Sequence, residues 1–179
     1  MKKLFYIVAA IAVGIGAAFV LGILGSTALP GLQKARQEGN MASAIGSVRA
    51  IITAQLTYAA VCGSGFYAPN LVNLGVPAAG TTEGFASPDL ATAGTITKSG
   101  YVLTMGSSSG PAVDAPASCN GLPAGTMAGG FYVTATPESA EMGTRAFAAN
   151  TDNIVWFAEQ QTSIRVTNTG QPQGTLEVK

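Results

Sequence analysis

Apolar residues fall into two regimes in the first third of the chain. From Leu4 to Leu29 there are 26 consecutive positions without an ionisable side chain. As helix at 1.5 Å per residue such a run reaches roughly 39 Å, more than a hydrocarbon core of about 30 Å. The pattern predicts a transmembrane helix over residues 1–30. Beyond it the spacing changes: Met41, Ile45, Val48, Ile52, Leu56 and Ala59 recur at steps of four and three, while Gln37, Asn40, Ser43, Ser47, Gln55 and Thr57 take other positions. That is the period of one helical face, and it predicts an amphipathic scaffold helix over 31–62, with Met41, Ile45, Val48, Ile52 and Leu56 as the core against a sheet. Between the two halves, Pro30 removes a backbone donor and Gly31 loosens the next turn, so a kink or short break is expected there.

The remaining residues, 63–179, read as a loop-rich β-sheet head. Cys62 to Gly100 is rich in Gly and Pro and reads as a connecting loop with at most a turn of helix. Three segments concentrate β-branched and aromatic residues, Tyr101 to Met105, Phe131 to Thr136 and Ile154 to Ala158, and read as antiparallel strands. Ser163 to Thr167 and Thr175 to Val178 add candidate edge strands, and Ser107 to Pro111 and Asn120-Gly121 read as turns. The fold class expected is α+β: a long amino-terminal helix, membrane-crossing and then amphipathic, packed on a small antiparallel sheet. No internal repeat is visible.

Composition narrows the function. Charged residues are only 10% of the 179 positions, and the nine basic and nine acidic side chains cancel. No electrostatic footprint for nucleic acid is present. The chain contains no histidine, so the usual general base, the commonest transition-metal ligand and the usual pH switch are all missing. The zero net charge is unevenly spread. Up to Cys62, Lys2, Lys3, Lys34, Arg36 and Arg49 face Glu38 alone, a balance of +4, which leaves −4 for the rest.

Candidate chemistry in the head is thin. Glu138 and Glu141 lie three apart and Asp152 precedes Asn153, but neither spacing reproduces a calcium loop, and solvated loop carboxylates account for them. Ser107, Ser108 and Ser109 have no histidine to activate them, and a Ser-Lys pair would require Lys98 close by. Gly106 to Gly110 lacks the Gly-Lys-Ser/Thr ending of a phosphate loop. No enzymatic activity and no cofactor are expected. Trp156-Phe157 and Phe131-Tyr132 read as core positions before they read as a partner patch, and Phe5 and Tyr6 as interfacial anchors.

Two observations bear on topology. A cleaved signal peptide would explain Lys2-Lys3 and the small residues Ser26-Thr27-Ala28, but the apolar run is longer than the 7 to 15 residues typical of such a segment, which favours a retained anchor. Lysines and arginines flank the run on both sides, so the positive-inside count is nearly balanced. Cys62 and Cys119 are the only cysteines, and a lone pair in a small Gly-rich head reads as one disulfide, which places the head on an oxidising side with the amino terminus in the cytoplasm. Within the run, Ala10, Gly14, Ala18, Gly22 and Ser26 recur every fourth residue. A stripe of small residues suits close approach by another transmembrane helix, in a membrane complex or in like subunits.

The stretch Pro30 to Arg36, Asn40-Met41-Ala42-Ser43-Ala44-Ile45-Gly46-Ser47-Val48-Arg49 and Thr53 to Ala59 resembles bacterial type IV pilins and the pseudopilins of type II secretion. The likeness extends to Gly100 to Thr104, Phe131 to Pro137 and Gly143 to Phe147. The resemblance implies a helix packed on an antiparallel sheet, a bacterial inner-membrane location with a periplasmic or extracellular head, and assembly by bundling of apolar helices. It also implies a check of Asp114, Glu138 and Asp152 as calcium ligands. The chain departs from the pattern at two places: Val8 stands where the family has the glycine before the cleavage site, and Val13 where it has a glutamate. Peptidase processing and charge-paired docking into a filament are therefore not expected, and a retained anchor serving a larger membrane complex is. A pilus or pseudopilus subunit and an anchored binding module are the alternatives.

Overall fold

The structure, a computed structural model, describes the backbone of residues 2–178 and the side chains of residues 31–178. One helix, α1, runs from Lys2 to Val61 without interruption. The break expected at Pro30-Gly31 does not occur: a proline removes one backbone hydrogen bond, and the turns on either side keep theirs. The chain divides into two compact units, Met1–Arg36 and Gln37–Lys179. Residues 31–61 are by length and composition apolar enough to cross a membrane, yet their apolar side is buried in the head, so this half is a core helix.

In the second unit a short helix α2 (Leu71–Gly75) and a single turn at Pro88–Leu90 lead to six strands: β1 (Thr95–Lys98), β2 (Tyr101–Ser107), β3 (Phe131–Pro137), β4 (Ala146–Asn150), β5 (Val155–Ala158) and β6 (Leu176–Glu177). They form one antiparallel sheet in sequence order, a meander. The register aligns Leu103, Ala135, Phe147 and Phe157 across β2 to β5, and Met105, Val133, Ala149 and Val155 one pleat further on. These residues make the inner face, and with Ala44, Val48, Ile51, Ile52, Ala54 and Tyr58 of α1 they form one hydrophobic core. The alternation of inward apolar and outward polar positions along β3 follows from one face packing on the helix.

Several expectations are corrected. The region read as a connecting loop contains α2, the Pro88–Leu90 turn and β1. The strand β4 was not anticipated because Ala-Phe-Ala-Ala-Asn has little β propensity; it is nonetheless buried along its whole length, where small side chains fit between two covered faces. Ser163 to Thr167 is not a strand but part of a strap across the outer face, where Ile164 fills the shallow trough of Ala146, Ala148 and Ala158 with Val166 beside it. The strap is fastened by Asn150, whose carboxamide donates to the carbonyls of Thr167 (3.1 Å) and Gly170 (3.0 Å). The Thr151 hydroxyl adds a bond to the Asn168 carbonyl.

The helix face also differs from the simple period. Val48 and Ile52 are buried, and Met41 and Ile45 pack at the edge of the core, but Leu56 is 41% exposed. The buried line runs through Val48, Ile51, Ile52, Gln55, Tyr58 and Cys62, so Leu56 falls about 100° off it. Gln55, read as a polar-face residue, lies at the centre of the core with 0% exposure. Its carboxamide behaves like a strand backbone, donating from Nε2 to the Ala68 carbonyl (2.8 Å) and accepting from the Ala68 N–H (2.9 Å). Buried polar groups are retained where they satisfy one another, and here a helix side chain satisfies a loop that has no ladder of its own. Ser47 is likewise buried and closes its hydroxyl onto the Ser43 carbonyl, 2.9 Å away.

Two consequences can be measured. Gln55→Leu removes both partners of Ala68 and is expected to lower stability by about 1–3 kcal/mol in denaturant unfolding, whereas Leu56→Gln, at an exposed position, changes it little. The Tyr101 hydroxyl donates to the Arg145 carbonyl (2.9 Å). Burial, against a smaller opposing effect of the Arg145 charge, pushes its phenol up from 10.0 to about 12. A raised folded value favours the neutral form in the fold, so this contribution is complete below about pH 10 and declines as the pH rises towards 12. Thermal melting across that window is expected to fall more steeply for the native protein than for Tyr101→Phe.

Candidate functional site

The most tightly tied part of the head is the far end of α1. Cys62, one residue past the helix, is bonded to Cys119 across 57 residues of sequence. The long β2–β3 connection carrying Cys119 has almost no regular structure, and backbone bonds from Cys119 N–H to the Cys62 carbonyl and from Ala79 N–H to the Cys119 carbonyl add to the clasp. Next to it, Asn120 joins three segments: its Nδ2 donates to the carbonyls of Asn73 (2.8 Å) and Val76 (3.3 Å), and its Oδ1 accepts from Ser118 (2.6 Å) and Tyr58 (3.3 Å). The Tyr58 ring is fully buried and meets Phe85 edge-on at 5.1 Å. A cysteine, an asparagine and a tyrosine thus fasten helix, α2 and loop at one point. The cysteine pair was legible in the sequence; the Asn120 hub was read only as a turn.

The near end of the second unit is a polar collar. Gln37 Nε2 donates to the Ala140 carbonyl (2.7 Å), Asn40 Nδ2 to the Met142 carbonyl (3.1 Å), and the hydroxyls of Ser43 and Ser99 lie 2.9 Å apart. Steps of three bring these side chains to one side of the helix, where Gln37 and Asn40 satisfy carbonyls of the β3–β4 turn and Ser43 meets the β1–β2 turn. Between α1 and β4–β5 an open groove of about 400 Å³ is lined by Met41, Ile45, Phe147 and Phe157, with Glu38 and Arg145 at its rim. Arg145 stacks 4.8 Å over Phe157 and pairs with Glu159 at 2.7 Å. A second groove of about 750 Å³ lies between α2 and the segment 82–92. On the solvent side of α1, Gly39 and Gly46 have nothing within 4 Å of where a Cβ would stand. Each costs about 1 kcal/mol of helix propensity relative to alanine, without a packing requirement from the head itself.

The candidate chemical groups do not assemble. Among the described residues no three of His, Cys, Asp and Glu come together as a metal site. Glu138 and Glu141 are exposed on the β3–β4 turn and Asp114 on the β2–β3 connection, while Asp152 accepts the Gly170 N–H at 2.6 Å and serves the strap. Ser107 donates to the Gly110 carbonyl and Ser108 to Asn168. Lys98 is engaged with Asp89 at 2.6 Å, a hydrogen bond that holds the Asp89 carboxyl below its usual range. Ser107, Ser108, Asp152, Lys98 and Asp89 are thus engaged in local structural bonds. Trp156 and Phe131 are buried. The side chains of Ala10, Gly14, Ala18, Gly22 and Ser26, and those of Phe5, Tyr6, Val8 and Val13, lie outside the described residues.

No family model, curated protein or solved structure matches the chain. The likeness to pilins therefore stands on the quoted residues alone, beside an α+β fold in which a long helix serves a six-stranded antiparallel sheet.

Removing the clasp is expected to destabilise the head. Cys62→Ser with Cys119→Ser should cost about 2–4 kcal/mol in denaturant unfolding, because the freed chain regains the entropy of a long loop. A midpoint unchanged from the native protein would show the disulfide to be dispensable.

Proposed function

We propose that this protein is a non-catalytic, membrane-anchored, pilin-like structural subunit that packs against transmembrane helices of a larger membrane complex. The observation that carries the reading is α1: a single helix from Lys2 to Val61 whose first half includes 26 residues without an ionisable group and whose second half is the core element of a folded head. In an anchor built this way the apolar run and the core helix of the head belong to one helical element. Support comes also from the local structural bonds that engage Ser107, Ser108, Lys98, Asp89 and Asp152, and from the small-residue stripe, which offers a surface for close helix approach. Val8 and Val13 favour a subunit that keeps its anchor unprocessed over one that polymerises.

Helix packing in a bilayer depends on fit, since lipid tails already satisfy apolar side chains. Gly14→Leu or Gly22→Leu is therefore expected to shift the protein, solubilised in mild detergent, from a larger assembly to the size of the free subunit, with thermal unfolding of the head unchanged. An unaltered assembly in both variants would exclude the stripe as the contact. Intact-mass measurement of the native protein separates the filament alternative, which calls for a trimmed and methylated amino terminus.

A further inference from the structure

Asn120-Gly121 is the one Asn-Gly pair in the chain. In such a pair the following backbone nitrogen can reach the asparagine side-chain carbonyl carbon, because glycine has no Cβ to crowd the approach. Here both reacting groups are tied down. The Gly121 N–H donates to the Ser118 carbonyl at 3.3 Å. The Asn120 carboxamide makes four contacts, to Asn73, Val76, Ser118 and Tyr58. The residue just before it, Cys119, is fixed to the end of α1 by the disulfide.

We infer that Asn120 is a deamidation site kept closed by the Cys62–Cys119 clasp and the hydrogen bonds around it. When the loop opens, the Gly121 nitrogen forms a bond to Asn120 Cγ, the Cγ–Nδ2 bond breaks, and ammonia leaves with the proton given up by the backbone nitrogen. Water then opens the five-membered imide at either carbonyl, giving aspartate or isoaspartate. No oxidant or reductant takes part in these steps. The product cannot re-form the hub, because Asn120 Nδ2 donates to two carbonyl oxygens and a carboxylate has no proton to offer them. Asn73 and Val76 lose their tie, and the α2 side of the 750 Å³ groove, which Val72 and Val76 line, is released. Opening of the clasp is thereby converted into a lasting change of charge and shape. This inference is independent of the membrane reading.

The test uses the full-length protein in detergent at mildly alkaline pH, with the disulfide intact or reduced by dithiothreitol, followed by peptide mass spectrometry. Conversion at Asn120 is expected to be at least about tenfold slower with the disulfide intact, equivalent to about 1.4 kcal/mol of opening free energy. Equal rates, or faster conversion at another asparagine, would overturn the assignment. Because reduction can unfold more than the loop, Ser118→Ala with the disulfide intact supplies a local version. It removes one bond to Oδ1 and is expected to speed conversion about fivefold; an unchanged rate counts against the lock. Asn120→Asp made directly should raise hydrogen exchange across residues 70–79, and unaltered protection there would refute the proposed release.

Discussion

The head depends on the burial of one side of a helix against the inner face of a meander. Val48, Ile51, Ile52 and Tyr58 supply the helix contribution, and Leu103, Met105, Phe131, Val133 and Phe147 the sheet contribution. Strands of two to seven residues with antiparallel neighbours do not make a stable unit without an apolar layer on one face. The helix is that layer. Long helices gain most of their stability from tertiary packing, so each element is the condition for the other. Gln55 shows how strict the fit is: in the middle of this apolar contact stands a polar side chain whose carboxamide meets both the N–H and the carbonyl of one residue, Ala68.

The outer face of the sheet is governed by smaller contacts. Alanines of β4 and β5 leave a trough, Ile164 occupies it, and Asn150 holds the strap by its carbonyls. At β4 and β5 the sheet is thus covered on both faces although only one of them meets a helix. This accounts for an alanine-rich strand in the sheet, a place where bulkier β-formers would be expected.

The long helix and four of the six strands, β2, β3, β5 and β6, could be read from the sequence because the side chains of each follow its period. What escaped reading has physical reasons. The strand β1 and helix α2 are short and lie in a Gly-rich and Pro-rich stretch whose local preference is for turns. The strand β4 is specified by the space available to it, a property no neighbouring residue in the sequence records. Leu56 and Gln55 exchange their expected places because a loop some thirteen residues away, at Ala68, needs hydrogen bonds. The cysteine pair was legible from composition, but the Asn120 hub joins segments separated by 44 to 62 residues and leaves no mark on the spacing of side chains. Of the functional reading, the membrane anchor is carried by sequence, in the run from Leu4 to Leu29 without an ionisable side chain.

The continuity of α1 has a mechanical consequence. A helix that is the central packing element of the head, and is tied by a disulfide one residue past its end, cannot be drawn out one contact at a time. A pull along its axis loads the whole interface in shear, together with the covalent link at the far end. Tension along the part of α1 inside the head is therefore borne collectively by the interface and the covalent link, as a tendon inserted through the depth of a bone bears it.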